Sequence, residues 1–254
     1  TASSQEIYVS PTKISIQKAK VAMLLNTGDS LTHEGVNFVY DHVKKNIQLA
    51  RTKSGVGGAP FQDSYHQLDI YVPKITWEID ADNIYFTYEF GTSQEQKVAS
   101  FESKAYFDSR VYDQLQAMAT VHPLVAISKY CYKYDEYILS EGTAATALGM
   151  TVSQAKSTLL TLSNMGFINY DTETKMISIN KKLDVFVKAK AGTIDYDNIV
   201  FTADFRPKEL TGYSDDQIKE DEYLQKIQVL YKQQNEARRI LKNFGVMNLT
   251  TLDL

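Results

Sequence analysis

The side chains of this sequence that could do chemistry are few and scattered. Cys131 is the single cysteine, so the chain can form neither an internal disulfide nor a thiolate metal cluster. It falls on the inward stripe of a predicted helix, the place of a buried packing thiol and not of an activated nucleophile. No Gly-x-Ser-x-Gly elbow is present to set a serine beside a base. His33, His42, His66 and His122 form no i, i+4 pair and no His-Glu-x-x-His motif. His66 and Asp69 come nearest to a ligand pair, yet an offset of three along a strand sends the two to opposite faces. No catalytic residue, metal ligand or cofactor is expected.

Two further groupings invite a function. Glu78 and Glu89 lie near Trp77, Tyr85 and Tyr88, and paired carboxylates with stacking rings would suit a carbohydrate-binding or hydrolytic β-domain. In alternating strands the ordinary reading is an outward acid beside an inward aromatic, and it is preferred here. The same rings suit protein contact, because Tyr and Trp are enriched in interface cores. The glycine-rich stretch Lys53-Ser-Gly-Val-Gly-Gly-Ala-Pro60 has neither the dinucleotide spacing nor a Gly-Lys-Ser/Thr ending. A flexible hairpin or crossover loop is expected there.

The elements that must position these groups can be read from periodicity. From residue 6 to about 104, apolar residues alternate in short runs: Ile14 and Ile16; Val21, Met23 and Leu25; Val36, Phe38 and Tyr40; Ile47 and Leu49; Ile75, Trp77 and Ile79; Ile84, Phe86, Tyr88 and Phe90. Period-two runs separated by turn residues predict antiparallel strands in a sandwich or stack of hairpins. A helix is predicted over Asp108–Met118, and another from Pro123 to about Tyr134, burying Leu124, Ile127, Ser128, Cys131 and Tyr134.

The next segment carries the most specific pattern. A short strand at Tyr137–Leu139 leads into an Ala-rich helix, Glu141–Leu148, closed by Gly149. Thr151-Val-Ser-Gln154 matches a capping box. A helix over Val152–Met165 follows, with Val152, Ala155, Leu159, Leu162 and Met165 on one face and Gly166 as its stop. Phe167–Tyr170 and Met176–Ile179 flank the turn Asp171-Thr-Glu-Thr174 as paired strands. This order is that of a winged helix-turn-helix, a fold used by nucleic-acid readers and protein-docking modules alike. The exposed positions of the second helix, Ser153, Gln154, Lys156, Ser157 and Thr158, offer one lysine and no arginine, and the wing turn is acidic. Lys181, Lys182, Lys188 and Lys190 are read as a solvated face. Nucleic acid is therefore the lesser expectation, carried by Gln154, Lys156 and the lysines after the wing, and a protein partner the greater.

A strand is expected at Asp195–Phe201 and a long helix over Ser214–Phe244. The whole predicts an α+β chain: an antiparallel β-rich N-terminal domain (1–107), a helical linker plus winged-helix middle module (108–192), and a strand, long C-terminal helix and strand-like end (193–254). The net charge of −4 and pI near 5.6 argue against a protein whose main work is phosphate-backbone binding. No apolar run approaches the roughly 20 residues of a transmembrane helix. The polar start at Thr1 and the stub Thr250–Leu254 suggest that both ends are cut.

Four phrases, Gly28–Phe38, Ala59–Asp69, Ser100–Ser103 and Ala189–Asp197, resemble a family of large, mostly uncharacterised β-rich proteins of Bacteroidetes. The likeness covers most of residues 10 to 205. It implies an interior fragment of an envelope or secreted protein, with no catalytic residues to carry over. The combined expectation is a non-catalytic structural or interaction segment that contacts other parts of the same large chain or an envelope complex. Trp77, Tyr85, Tyr88, Gln154 and Lys156 are its candidate surface. A nucleic-acid-binding regulator and a carbohydrate-binding β-domain are the alternatives.

Overall fold

The computed structural model describes residues 1–25, 28–81, 84–87, 98–116 and 121–204. The helix expected over Ser214–Phe244, the strand-like end, Tyr88 and Glu89 lie outside these residues.

Two long strands, β3 (Lys13–Leu24) and β4 (Ser30–Asp41), form the spine of a curled antiparallel sheet. The two apolar runs in β3 are out of phase, Ile16 on one parity and Ala19, Val21 and Met23 on the other. A register shift between Ile16 and Val21, with Lys18 at φ 53°, brings both runs to the same face. Short strands β1 (Ala2–Ser3) and β2 (Ile7–Val9) pair with the outer edge of β3.

The other edge of β4 is shared by two strands, and there the sheet forks. Residues 37–41 pair with β5 (Asn46–Ala50), and residues 31–32 pair with β6 (Phe61–Asp63). One branch continues from β5 to β8 (Lys74–Glu78) and β9 (Ile84–Thr87). The other runs through β6, β7 (Leu68–Tyr71) and β10 (Val98–Ser103) to β14 (Val200–Asp204). The connection Arg51–Pro60 spans the fork. It is a crossover, as expected, and it contains a 3-10 turn at Gly55–Gly58 with Val56 and Gly57 buried. Glycines make this possible: a Cβ on Gly57 would lie 1.9 Å from Thr52 Oγ1, and one on Gly35 2.8 Å from Val56 Cγ2.

Residues 104–199 separate β10 from its neighbour β14, and they fold as a unit with its own core. This unit contains α1 (Ser109–Gln116), α2 (Pro123–Tyr134), β11 (Ile138–Ser140), α3 (Glu141–Leu148), α4 (Val152–Asn164), β12 (Ile168–Asp171), β13 (Met176–Ile179) and α5 (Lys181–Lys190). Its small sheet runs β11-β13-β12. Local signals set these boundaries. Ser140 Oγ accepts from Thr143 N, the Thr151–Gln154 capping box opens α4, and Gly149 and Gly166 are left-handed at φ 66° and 79°. Tyr134 and Val152, expected inside, are exposed, whereas Thr158, expected outside, is buried. The stripe of α4 is rotated so that Thr158 and Ser163 complete it.

The strand expected at Asp195–Phe201 begins later and returns to the N-terminal sheet, with Phe201 opposite Phe101. The unit's neck is stitched by Ser103 N to Ile199 O, Phe107 N to Asp197 O and Asp197 N to Ala105 O, and by Ser103 Oγ to Asp197 Oδ2 at 2.6 Å.

Candidate functional site

Alternation assigns the two faces of the β6–β7–β10 branch. Phe61, Leu68, Ile70, Ala99 and Phe101 point into the sheet's core. Gln62, Asp69, Tyr71, Ser100 and Glu102 therefore share the opposite face, with Asp69 across from both Gln62 and Glu102, and Tyr71 across from Ser100. The helical unit lies on one end of this polar face. A cleft occupies the other end.

At the seam, Lys182 of α5 is 3% exposed. Its Nζ donates to Glu102 Oε2 at 2.6 Å, to Met165 O at 2.9 Å and to Tyr71 OH at 3.4 Å, and lies 3.6 Å from Asp69 Oδ2. Lys104 binds the other oxygen of Asp69. Two ammonium groups thus meet two carboxylates. Burial works against the Lys182 charge, but Tyr71, Glu102 and Asp69 together outweigh it and hold the ammonium above the ordinary lysine range. Burial likewise raises the Tyr71 phenol, which stays protonated. Gly166 is required by both its φ and its space, since a Cβ there would stand 2.7 Å from Asp69 Oδ2. Asn169 Nδ2 donates to Gln62 Oε1 at 3.1 Å and extends the seam.

The turn between β12 and β13 is also engaged. Asp171 Oδ1 accepts from Glu173 N and Thr174 N, its Oδ2 sits 3.6 Å from Lys20 of β3, and Glu173 accepts from the Gln5 amide at 3.3 Å.

The cleft, about 420 Å³, lies where Arg51–Pro60 and Val72–Pro73 cross between the branches; Arg51, Thr52, Lys53, Tyr71, Val98 and Ser100 are among its walls. Arg51 N donates to Pro73 O at 2.8 Å. Its guanidinium donates to Gly58 O and lies over the Tyr71 ring, Cζ 5.4 Å from the centroid. Burial lowers its proton affinity. Beside it, His33 Nε2 donates to Ala59 O at 2.8 Å while Nδ1 accepts from Gly35 N at 2.9 Å, an arrangement that requires the neutral ring. Desolvation pushes this histidine down to about 3.

The residues singled out by sequence are not brought together. Trp77 pairs with Ile47 and Ile84 on the core side of the β8–β9 hairpin, and its Nε1 donates to Ala81 O at 3.1 Å. Tyr85 pairs with Thr76 and so occupies the other face. A sugar-stacking groove needs both rings on one side. Gln154 is exposed, but its Oε1 accepts from the Thr151 amide and hydroxyl, so it serves the cap. Lys156 is exposed on α4. His66 meets Asp63 at 2.6 Å, while Asp69 points away to the seam. Lys182, read as solvated, is buried; Lys188 and Lys190 pair with Asp184 and Asp113, each at 2.8 Å. Cys131 is buried, and burial raises its thiol.

Sequence reasoning missed Arg51 and Glu102 as site residues, and it weighed Asp69 only with His66 and Lys182 only among the lysines after the second helix. It also missed an exposed patch on the helical unit, Tyr132, Tyr134, Tyr137, Ile138 and Met176. The clustering of tyrosines from Tyr130 to Tyr137 was the available signal for that patch. Among the described residues no helix is long and apolar enough to cross a membrane, and no group of acids, histidines or cysteines is arranged to hold a metal ion. Comparison with protein-family models, curated proteins and solved structures finds no match to this chain.

Proposed function

We propose that this chain is a non-catalytic structural and protein-interaction segment of a larger cell-envelope protein, in which a winged helix acts as the internal connector of a β-framework. The observation that carries the reading is the charge-balanced seam of Lys182 and Lys104 with Asp69 and Glu102, which fixes the helical unit face-on to the sheet. Buried ion pairs add little net stability but penalise every other docking geometry, which suits a connector. The phrases behind the family resemblance support the same role. They include His33, Gly35, Ala59, Asp69, Glu102 and Asp197, the residues of the fork, seam and neck.

A winged helix that reads DNA presents its second helix and its wing to the duplex. Here the wing turn is tied to Lys20 and Gln5, and three of the four downstream lysines are paired with carboxylates. The outward surface offered to a neighbouring protein segment is the tyrosine patch of Tyr132, Tyr134 and Tyr137 with Ile138 and Met176. A gel-shift titration against random duplex DNA at two salt concentrations tests the reading. No shift at micromolar protein is expected. Submicromolar binding that weakens steeply with salt overturns it in favour of a nucleic-acid regulator.

A further inference from the structure

Asp69 is fully buried, yet one of its carboxylate oxygens is left unserved. Lys104 Nζ donates to Oδ1, whereas Oδ2 has no hydrogen-bond partner among the described residues. The second cation of the seam, Lys182 Nζ, stays 3.6 Å from Oδ2. Pro60 and Gly166 close in on that oxygen: a Cβ on Gly166 would meet Pro60 Cγ at 3.2 Å and Oδ2 at 2.7 Å. A buried ion pair offsets its desolvation only where the remaining lone pairs are satisfied, and here they are not.

The charge count singles out one pair within the seam. Lys182 and Glu102 face each other at 2.6 Å. With Lys104 and Asp69 taken away as charges, that cation and that anion still match. The seam is therefore balanced both with the second pair and without it.

We propose that Lys104 and Asp69 condense to an amide, an isopeptide bond that ties the end of β10 to β7. The ion pair described above is its precursor. A proton passes from Lys104 Nζ to Asp69 Oδ1 along their existing hydrogen bond, and burial favours the resulting neutral amine and acid. The amine then attacks Asp69 Cγ, and the negative charge that builds on Oδ2 develops beside the Lys182 ammonium. Nζ gives up a second proton, the Cγ–Oδ1 bond breaks, and Oδ1 leaves as water. One ammonium and one carboxylate become one amide and one water, with nothing oxidised or reduced and no co-reactant consumed. The fold holds the reacting groups together beforehand, because the Lys104 amide donates to Gln67 O at 2.9 Å, two residues from Asp69. The bond does not rest on the connector reading, since it joins two parts of this chain whatever the chain contacts.

The test is the intact mass of the whole chain, folded and then denatured, with tandem spectra of its tryptic peptides. The expected mass is one water below that of the sequence. Trypsin should fail at Lys104 and leave a branched peptide, residues 98–110 joined through Lys104 to residues 54–74. Lys104→Arg, which keeps a cation beside Asp69, should show its full sequence mass. The wild-type spectra decide the matter without reference to any variant's folding. Full sequence mass in the wild type overturns the proposal, and so does a lost water without the branch, such as a succinimide at Asp69 alone.

Discussion

His33 shows how one side chain at the fork sets a pH limit for the molecule. Its ring bridges Ala59 and the Gly35 amide in the neutral form, and desolvation holds its affinity for a proton at about pH 3. In the unfolded chain the same ring titrates near 6.5, so between these values the unfolded state binds the proton and the folded state does not. Stability contributed by His33 is therefore full above about 6.5 and declines as pH falls towards 3. Going from pH 7 to pH 5 should cost about 2 kcal/mol, at 1.36 kcal/mol per unit. Urea midpoints of the wild type and His33→Gln at the two pH values check this; an equal pH response in both removes His33 as the cause. At this scale the sequence was least legible. Lys182 and Glu102 are 80 positions apart, and Lys182 and Tyr71 are 111 apart. A lysine at the start of a helix carries no local sign that it will be buried against a distant strand. Cys131 was legible because its helix's own periodicity placed it inside.

Elements with strong local signals were readable, and those shaped by tertiary contact were not. The capping box at Thr151, the glycine stops at Gly149 and Gly166, and Pro123 at the head of α2 mark their helices without outside help. The Lys53–Pro60 stretch looked loose because glycines usually signal freedom; in the fold they permit close approach instead. The long β3 looked like two strands because its inward parity changes at Lys18. A pair of glycine variants separates the two uses of the residue. Gly57→Ala should destabilise by about 1–3 kcal/mol, as overpacking does, since its Cβ meets Thr52 and the Gly35 carbonyl. Gly142→Ala should stabilise by about 0.5–1 kcal/mol, because this site within α3 meets no atom nearer than Ser140 Oγ at 3.8 Å. Denaturant midpoints of both variants decide the matter, and a loss at Gly142 or a gain at Gly57 contradicts it.

For the whole molecule the question is whether two cores behave as one. The sheet and the helical unit bury two apolar clusters; Val56 of the fork joins the helical one, and the polar seam completes the junction. The seam's share of their coupling can be tested. Lys182→Met leaves Asp69 and Glu102 short of a cation and should cost about 3–5 kcal/mol, the penalty of a broken buried pair. The single calorimetric transition expected of the wild type should separate into two in this variant. One sharp transition at an unchanged midpoint would show that apolar contacts alone couple the parts. The α+β composition and the strand near Asp195–Phe201 were legible, but its pairing with β10 was not, because register between distant strands leaves no periodic trace.

That pairing also imposes a time order on folding. While residues 104–199 are a coil, bringing β14 back to β10 means closing a very long loop. Once they have folded, the neck at Ser103–Phe107 and Asp197–Ile199 holds the two strands within a few residues of their final register. The middle of the chain thus works as a template for the last step. Until it is complete, β10 keeps an open hydrogen-bonding edge, the kind of exposed strand that recruits foreign chains.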